Sequence, residues 1–335
     1  MRVKLFYANG TSWALNWIEV GFRVEQGFGR IYWDASQQPE FETSATVLGL
    51  DGRSASFDGY HPPNDPFPVL LDPDVFDAER ISYPAAFLPM GNSMAYGIQQ
   101  VIDGINALPV GQPFALGGYS QGAAVMSTVY NEIRYGSLTS RASTFLGGVM
   151  FGNPRRQQNY RGGVGGTWSG LWYDDNATTG GRGSFPATGN YARLANCDGD
   201  EWIEFAYPGD VFTCNGASTV GDNWMAGNDA MTDLDASEII AYLANVGPIF
   251  EAVGQAFAKG DEVTPGMTDG AGQDVYVTGS GHTVYPFMPP IGVATTNTCY
   301  QVALQWLHDK AAAWATAPVL SPKAGWSTTL LPPVI

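Results

Sequence analysis

Residues 113–130 read PFALGGYSQGAAVMSTVY. The centre of this stretch, GYSQG at 118–122, is a G-x-S-x-G pattern. The pattern is typical of a serine on a sharp turn between a strand and a helix, with its hydroxyl projecting into a cleft. A short apolar run at 113–116 precedes it, and apolar residues at helical spacing follow it. The sequence therefore predicts a strand, a turn that carries Ser120 as a nucleophile, and a helix. A Gly-rich loop with an exposed serine is the alternative.

A serine hydroxyl needs a general base, and the chain contains three histidines. In α/β-hydrolases, which use this turn, the order along the chain is serine, acid, histidine, and this order excludes His61. His308 lies in a helical pattern at 301–310, as a surface or packing histidine would. His282 lies in a Gly-Ser-Gly-His-Thr loop directly after the strand-like segment 274–278. We therefore predict His282 as the base, and a solvated loop histidine is the alternative.

The acid should lie between the serine and the base, at the end of a strand. Residues 202–207 predict a strand, which runs into a Pro-Gly turn followed by Asp210. We predict that Asp210 orients the imidazole and stabilises the imidazolium. The alternatives are that Asp210 is a plain turn residue, or that a nearby aspartate takes the role. The nearby candidates are Asp198, Asp200 and Asp222.

An oxyanion site needs two hydrogen-bond donors. The backbone N–H of Gln121, the residue after the nucleophile, is the first. The second comes from the loop after an early strand, and here Thr11 or Ser12 follows the predicted strand 2–8. A plain β-turn after that strand is an equally good interpretation of these residues.

Further motifs resemble the lysin B proteins of mycobacteriophages, which are cutinase-like serine esterases of the α/β-hydrolase superfamily. Beside GYSQGA at 118–123 stand FGNPRRQ at 151–157, YPGD at 207–210 and GHT at 281–283, with weaker matches at 83–86 and 90–93. The resemblance covers roughly residues 80–310 and the first strand. It implies hydrolysis of the ester between mycolic acids and arabinogalactan in the mycobacterial envelope during phage-induced lysis, with no metal or cofactor.

The resemblance also implies residue roles. The nucleophile, acid and base carry over to Ser120, Asp210 and His282, and the oxyanion donors to Gln121 and Thr11. Two other functions remain open at this point. One is a broad-specificity cutinase or lipase, and the other is a virion-associated tail protein that acts in host recognition or entry with other virion proteins as partners. The resemblance to cutinases implies a disulfide between Cys197 and Cys214, and three buried thiols, including Cys299, are the alternative.

The alternation of strands and helices predicts an α/β fold of cutinase-like α/β-hydrolase type, with a central, mostly parallel sheet flanked by helices. We expect a single domain over 1–320 with an insertion at 13–75, a helical cap at about 225–270 and an extended Pro-containing tail at 321–335. The predicted strands are 2–8, 79–83, 113–118, 144–151, 202–207 and 273–278. The predicted helices are 92–107, 121–134 and 297–315.

Two aromatic regions are candidates for substrate binding. Phe250 and Phe257 lie on the apolar face of a cap helix and would shelter an acyl chain. Trp168 and Trp172 lie in the Gly-rich stretch 161–194 and would contact sugar or lipid. Ordinary core helices and a packed surface loop are the respective alternatives.

The net charge of −16 over 335 residues argues against nucleic acid as a partner, because binding to phosphates needs a basic patch. No apolar stretch approaches the length of a membrane span. The apolar run at the N-terminus is too short for a signal peptide. We therefore expect a protein made in the host cytoplasm that acts at the envelope after lysis or is carried on the virion.

Overall fold

The computed structural model describes ten parts of the chain, and the structural statements below refer to them. They are residues 1–11, 45–50, 52–57, 65–86, 90–158, 183–206, 212–213, 285–286, 290 and 295–316. The strands of these parts are β1 (Val3–Ala8), β2 (Ala45–Leu48), β3 (Ser54–Phe57), β4 (Phe76–Arg80), β5 (Phe114–Tyr119), β6 (Phe145–Phe151) and β7 (Trp202–Phe205). The helices are α1 (Phe67–Leu70), α2 (Met90–Ala107), α3 (Gln121–Tyr135) and α4 (Cys299–Thr316), with a 3₁₀ helix at Thr139–Thr144.

Five of the strands form one sheet in the order β4-β1-β5-β6-β7, and every neighbouring pair is parallel. Strands β5 and β6 are buried at every position, so they read as unbroken apolar or glycine runs rather than as alternating patterns. Parallel neighbours need crossover connections, and α3 supplies the one between β5 and β6, whereas α2 connects β4 to β5 across β1. This confirms the predicted α/β class with a central parallel sheet.

Helices cover both faces of this sheet. Phe6 and Tyr7 are consecutive in β1, so their side chains point to opposite faces. On one face, a Cβ atom at Gly104 of α2 would lie 2.6 Å from the ring of Phe6. On the other face, the Tyr7 hydroxyl donates to the carboxylate of Asp65 at 2.5 Å, and Tyr300 of α4 donates to the same carboxylate at 2.9 Å. Helices α2 and α4 therefore enclose β1 from opposite sides.

The boundaries of one predicted strand were wrong. The strand expected at 79–83 lies at Phe76–Arg80, and Ile81 adds a single backbone bond, from its N–H to the carbonyl oxygen of Tyr7 at 2.8 Å. Strand β4 is at the edge of the described sheet, where charged side chains are tolerated. Lys4 of β1 pairs there with Asp77 at 3.1 Å and Glu79 at 2.8 Å. The other predicted elements within the described residues agree to within two residues at each end.

Part of the predicted insertion 13–75 has regular structure that the sequence did not predict. Strands β2 and β3 form an antiparallel hairpin, and the short helix α1 follows. The predicted strand 273–278, the cap at about 225–270 and the tail 321–335 lie outside the described residues. None of the described helices is long and apolar enough to cross a membrane.

Candidate active site

Ser120 occupies the turn between β5 and α3, as predicted. Its backbone has φ 53° and ψ −123°, a conformation that residues with a side chain rarely adopt. The turn is fixed on both sides, because the Ser120 N–H donates to the carbonyl oxygen of Phe151 at 2.9 Å and the Ser120 carbonyl accepts from Ala124 N–H at 3.1 Å. The strand, the strained serine and the helix follow in the order that a nucleophile turn requires.

The two glycines of the pattern are required by close backbone contacts. A Cβ atom at Gly122 would overlap the carbonyl oxygens of Ala8 and Asn9, at the end of β1. A Cβ atom at Gly118 would lie 2.8 Å from the Cα of Ala123. The start of α3 therefore packs directly against the end of β1, and only glycine allows that approach.

The loop that follows β1 lies against Ser120. A Cβ atom at Gly10 would lie 3.0 Å from the Cβ of Ser120, so residues 9–11 border the serine. The Tyr83 hydroxyl donates to the carbonyl oxygen of Asn9 at 2.5 Å. This is the loop from which the second oxyanion donor was predicted, and it is held from outside by the residues that follow β4.

The side chain of Gln121 connects this loop to two other segments. It is buried, and its Nε2 donates to the carbonyl oxygen of Ala86 at 2.8 Å and to Oγ1 of Thr11 at 3.4 Å. Its Oε1 accepts from the hydroxyl of Ser93, near the start of α2, at 3.1 Å. The structure thus brings the predicted oxyanion residues Gln121 and Thr11 together. The roles of Ala86 and Ser93 were not predicted, and the weak motif matches at 83–86 and 90–93 were the available signal.

The FGNPRRQ motif forms the turn after β6 and ties several segments together. Nδ2 of Asn153 donates to Ser127 of α3 at 3.0 Å and to Glu204 of β7 at 2.5 Å. Nε of Arg156 donates to the carbonyl oxygen of Thr213 at 2.8 Å. This turn therefore links α3, the helix after Ser120, to Thr213.

Two ionisable residues near this turn, Glu204 and Arg155, are buried, and burial shifts their pKa values in opposite directions. Burial raises the pKa of Glu204, although hydrogen bonds from Trp202 and Asn153 work against the rise. Burial lowers the pKa of Arg155 to about 10, and its Nη1 and Nε donate to the carbonyl oxygens of Ala124 and Ala192 at 3.3 and 2.8 Å. The guanidinium of Arg155 therefore stays cationic at neutral pH, and its hydrogen bonds to backbone carbonyl groups stabilise the buried charge.

A residue close to the predicted base lies beside the nucleophile turn. The ring of Tyr285, three residues after His282, is buried and packs edge-on against the ring of Tyr119, with centroids 6.2 Å apart. The same ring lies 6.2 Å from that of Phe151, whose carbonyl holds the Ser120 N–H.

His308, which was not predicted to be the base, lies at the opposite end of the sheet from Ser120. Nε2 of His308 is 3.9 Å from the carboxylate of Asp72, and its ring packs edge-on against Phe76, the first residue of β4. Ser120 follows the carboxyl end of β5, and the strands are parallel. The interpretation of His308 as a surface and packing residue is confirmed.

Two of the alternative acids also lie at the wrong end. Asp198 and Asp200 are exposed and precede β7, and the carbonyl of Asp198 accepts from the N–H of Trp202, where β7 begins. Both aspartates therefore lie beside the amino ends of the strands, away from Ser120.

The remaining predicted site residues lie outside the described parts of the chain. They are Asp210, His282, Ser12, Asp222, His61, Trp168, Trp172, Phe250, Phe257 and Cys214. Cys197 is a free thiol, which disagrees with the predicted bridge to Cys214, and burial raises the pKa of this thiol. Within the described residues, no group of three or more His, Cys, Asp or Glu side chains is placed to hold a metal ion.

Comparison with known proteins gives one family match. Residues 75–173 match the PE-PPE domain family, and this range includes β4, α2, the Ser120 turn, α3 and β6. The match covers less than half of the chain. No curated protein matches the chain.

Solved structures of three esterase-like proteins are similar to the chain. Lysin B from mycobacteriophage D29 shares 19% identity, with 92% of this chain and 100% of that chain covered and a TM-score of 0.46. A cutinase-like protein from Cryptococcus sp. shares 14% identity over 69% of this chain and 90% of its own, with a TM-score of 0.34. The catalytic core of acetyl xylan esterase from Trichoderma reesei shares 16% identity over 69% and 97%, with a TM-score of 0.31.

Proposed function

We propose that the chain is a serine carboxylic ester hydrolase with Ser120 as nucleophile. The observation that carries this proposal is the backbone of Ser120, at φ 53° on a turn between a buried strand and a helix. A side-chain-bearing residue in such a conformation costs about 1–3 kcal/mol and persists where the surrounding structure enforces it, mostly at functional sites. A glycine would fit there without strain, so the serine hydroxyl is what this position contributes.

The proposed reaction is acyl transfer in two steps. Ser120 attacks the ester carbonyl while His282 takes its proton, and Asp210 orients His282. The Gln121 N–H and Thr11 stabilise the oxyanion, and the alcohol leaves after accepting a proton from His282. Water, activated by His282, then attacks the acyl-enzyme and releases the acid. The proposal requires no metal or cofactor.

Chain connectivity supports the two partners of Ser120. Three peptide units separate His282 from Tyr285, which packs beside the nucleophile turn, so their Cα atoms are at most about 11 Å apart. Asp210 precedes Phe212 by two residues, so at most about 7 Å separates those Cα atoms. Asp210 follows β7 in the sequence by five residues, and β7 ends at the same edge of the sheet as β5, which leads into Ser120.

For the substrate, we propose the ester between mycolic acids and arabinogalactan of the mycobacterial envelope, cleaved during phage-induced lysis. The motif resemblance at 118–123, 151–157, 207–210 and 281–283 supports this choice. The protein would then act at the host envelope.

The test uses purified mycolyl-arabinogalactan and a p-nitrophenyl ester series of increasing chain length. We expect release of free mycolic acids, detected by mass spectrometry, and no turnover of any substrate by Ser120→Ala. Turnover retained in Ser120→Ala would refute the mechanism. Activity on p-nitrophenyl esters without release of mycolic acids would instead favour a broad cutinase or lipase. Recovery of the protein in purified particles at fixed copy number would favour a role on the virion.

A further inference from the structure

We propose that Ser93 is a positioning residue for the oxyanion hole, acting through the side chain of Gln121. The inference rests on the proposed esterase activity and extends it to a residue of α2 that would not touch the substrate. Ser93 is only 3% exposed, and Gln121 is 2% exposed. The two side chains belong to different helices and meet behind the loop that borders Ser120.

The hydroxyl of Ser93 has one defined hydrogen-bond arrangement. Its Oγ lies 2.9 Å from the N–H of Ala86, and a backbone N–H can only donate. Oγ therefore accepts that bond, and its single hydrogen remains for Oε1 of Gln121, 3.1 Å away. Ser93 thus bridges the loop after β4 to the residue that follows the nucleophile.

The orientation of the Gln121 amide follows from its partners. The carbonyl oxygen of Ala86 only accepts, so the amide atom 2.8 Å from it must be the NH₂ group. Oε1 then faces Ser93, and the second hydrogen of the NH₂ group is directed to Oγ1 of Thr11 at 3.4 Å. Because Thr11 accepts at Oγ1, its own hydroxyl hydrogen is left to donate to an oxyanion.

Among the described residues, the hydrogen bond from Nε2 of Gln121 is what holds Thr11, at the far end of the loop 9–11. The near end is held at Asn9, by the Tyr83 hydroxyl and by Nη1 of Arg80, which donates to Oδ1 of Asn9 at 3.2 Å. Oxyanion donors stabilise the transition state only when they are aimed before charge develops. Removing the Ser93 hydroxyl would leave Oε1 of Gln121 buried without a donor, so the amide would reorient and release Thr11.

The test measures kcat and KM for p-nitrophenyl butyrate in Ser93→Ala, Gln121→Met and the double variant. We expect Ser93→Ala to lower kcat about tenfold, as the loss of one buried hydrogen bond would, with KM nearly unchanged. Gln121→Met keeps its backbone N–H and should lose at least as much. The double variant should lose no more than Gln121→Met alone, because Ser93 acts through Gln121. Ser93→Thr, which keeps a hydroxyl, should restore most of kcat.

The matched control is Tyr130→Phe. Tyr130 is also buried, and its hydroxyl accepts from the N–H of Asp198 at 3.1 Å, beside the amino ends of the strands and away from Ser120. This variant should lose thermal stability and keep kcat. The inference is overturned if kcat of Ser93→Ala stays within about twofold of wild type, or if the losses add in the double variant. Either result leaves the proposed function standing as long as Ser120→Ala is inactive. If Ser93→Ala does not fold, Gln121→Met alone decides, and unchanged kcat overturns the inference.

Discussion

The backbone at Ser120 gives a stability prediction that does not depend on any substrate. The variants Ser120→Ala and Ser120→Gly both lack the hydroxyl and differ only by the Cβ atom. At φ 53° and ψ −123°, that Cβ atom is the source of the backbone strain. The difference in unfolding free energy between the two variants therefore isolates the strain from the loss of the hydroxyl.

At position 120 we expect the glycine variant to have the higher unfolding free energy, whereas alanine is usually the more stable of the two residues. Relief of the strain favours Ser120→Gly by about 1–3 kcal/mol, and the greater freedom of glycine in the unfolded chain costs about 0.5–1 kcal/mol. Ser120→Gly should therefore be more stable than Ser120→Ala by up to about 2.5 kcal/mol. At Ala95, which is exposed in α2, Ala95→Gly should instead lose about 1 kcal/mol.

The assay is equilibrium unfolding in urea, followed by tryptophan fluorescence, for the pair at position 120 and the pair at position 95. Both variants at position 120 should be inactive as esterases. If glycine lowers the unfolding free energy relative to alanine by as much at position 120 as at position 95, the backbone of Ser120 is not strained.

Three further predictions test the surroundings of the turn. Gly122→Ala should lower the unfolding free energy by at least about 3 kcal/mol, because its Cβ would overlap the carbonyl of Ala8. The control is Gly52→Ala, which should lose only about 1–2 kcal/mol, because Gly52 has φ +74° but no atom within 4 Å of the added Cβ. Equal losses of the two variants in urea would contradict this prediction. Arg156→Met should lower kcat about 10- to 100-fold with little change in KM, because it removes the hydrogen bond to Thr213 that anchors the segment after Asp210. An unchanged kcat would show that this hydrogen bond does not position Asp210. Burial raises the pKa of Asp65, so the protonated carboxyl stabilises the fold below the ordinary pKa of 3.8, and this contribution is lost as the pH rises through the raised pKa. Asp65→Asn should therefore gain stability relative to wild type as the pH rises from 3.8 through the raised pKa of Asp65, and a stability difference in urea that does not change with pH would contradict the assignment.

The nucleophile turn could be predicted because its signals are local. The apolar run before GYSQG, its two glycines and the helical spacing after it all lie within residues 113–130. The same holds for β6 and α3, whose apolar patterns match their burial in the structure. Each of these elements is encoded by neighbours in the chain, so no knowledge of distant contacts was needed.

The position of β4 could not be predicted from apolar patterning. Its residues Phe-Asp-Ala-Glu-Arg carry three charges, and the edge of the sheet leaves those side chains partly exposed. The salt bridges of Asp77 and Glu79 with Lys4 join residues more than 70 positions apart, so the local sequence does not reveal them. The more apolar residues after Arg80 shifted the prediction toward the C-terminus.

The contacts that support the site were also beyond the sequence. Ser93 meets Gln121 across 28 positions, and Tyr300 meets Asp65 across 235. The motif matches at 90–93 and 118–123 contain Ser93 and Gln121 but do not show that the two side chains meet, because hydrogen bonds between distant side chains depend on how the layers pack. The sequence predicted which residues would do the chemistry, and the structure shows which residues hold Ser120, Gln121 and Thr11 in place.

Covalent labelling with a fluorophosphonate shows whether Ser120 is an activated nucleophile, because this reagent reacts with serines that have a base and an oxyanion site. We expect one adduct per chain, mapped by peptide mass spectrometry to Ser120. Hydrolysis of p-nitrophenyl butyrate should be lost in parallel, and Ser120→Ala should form no adduct. An adduct at another residue, or equal labelling of Ser120→Ala, would contradict the role of Ser120 as nucleophile.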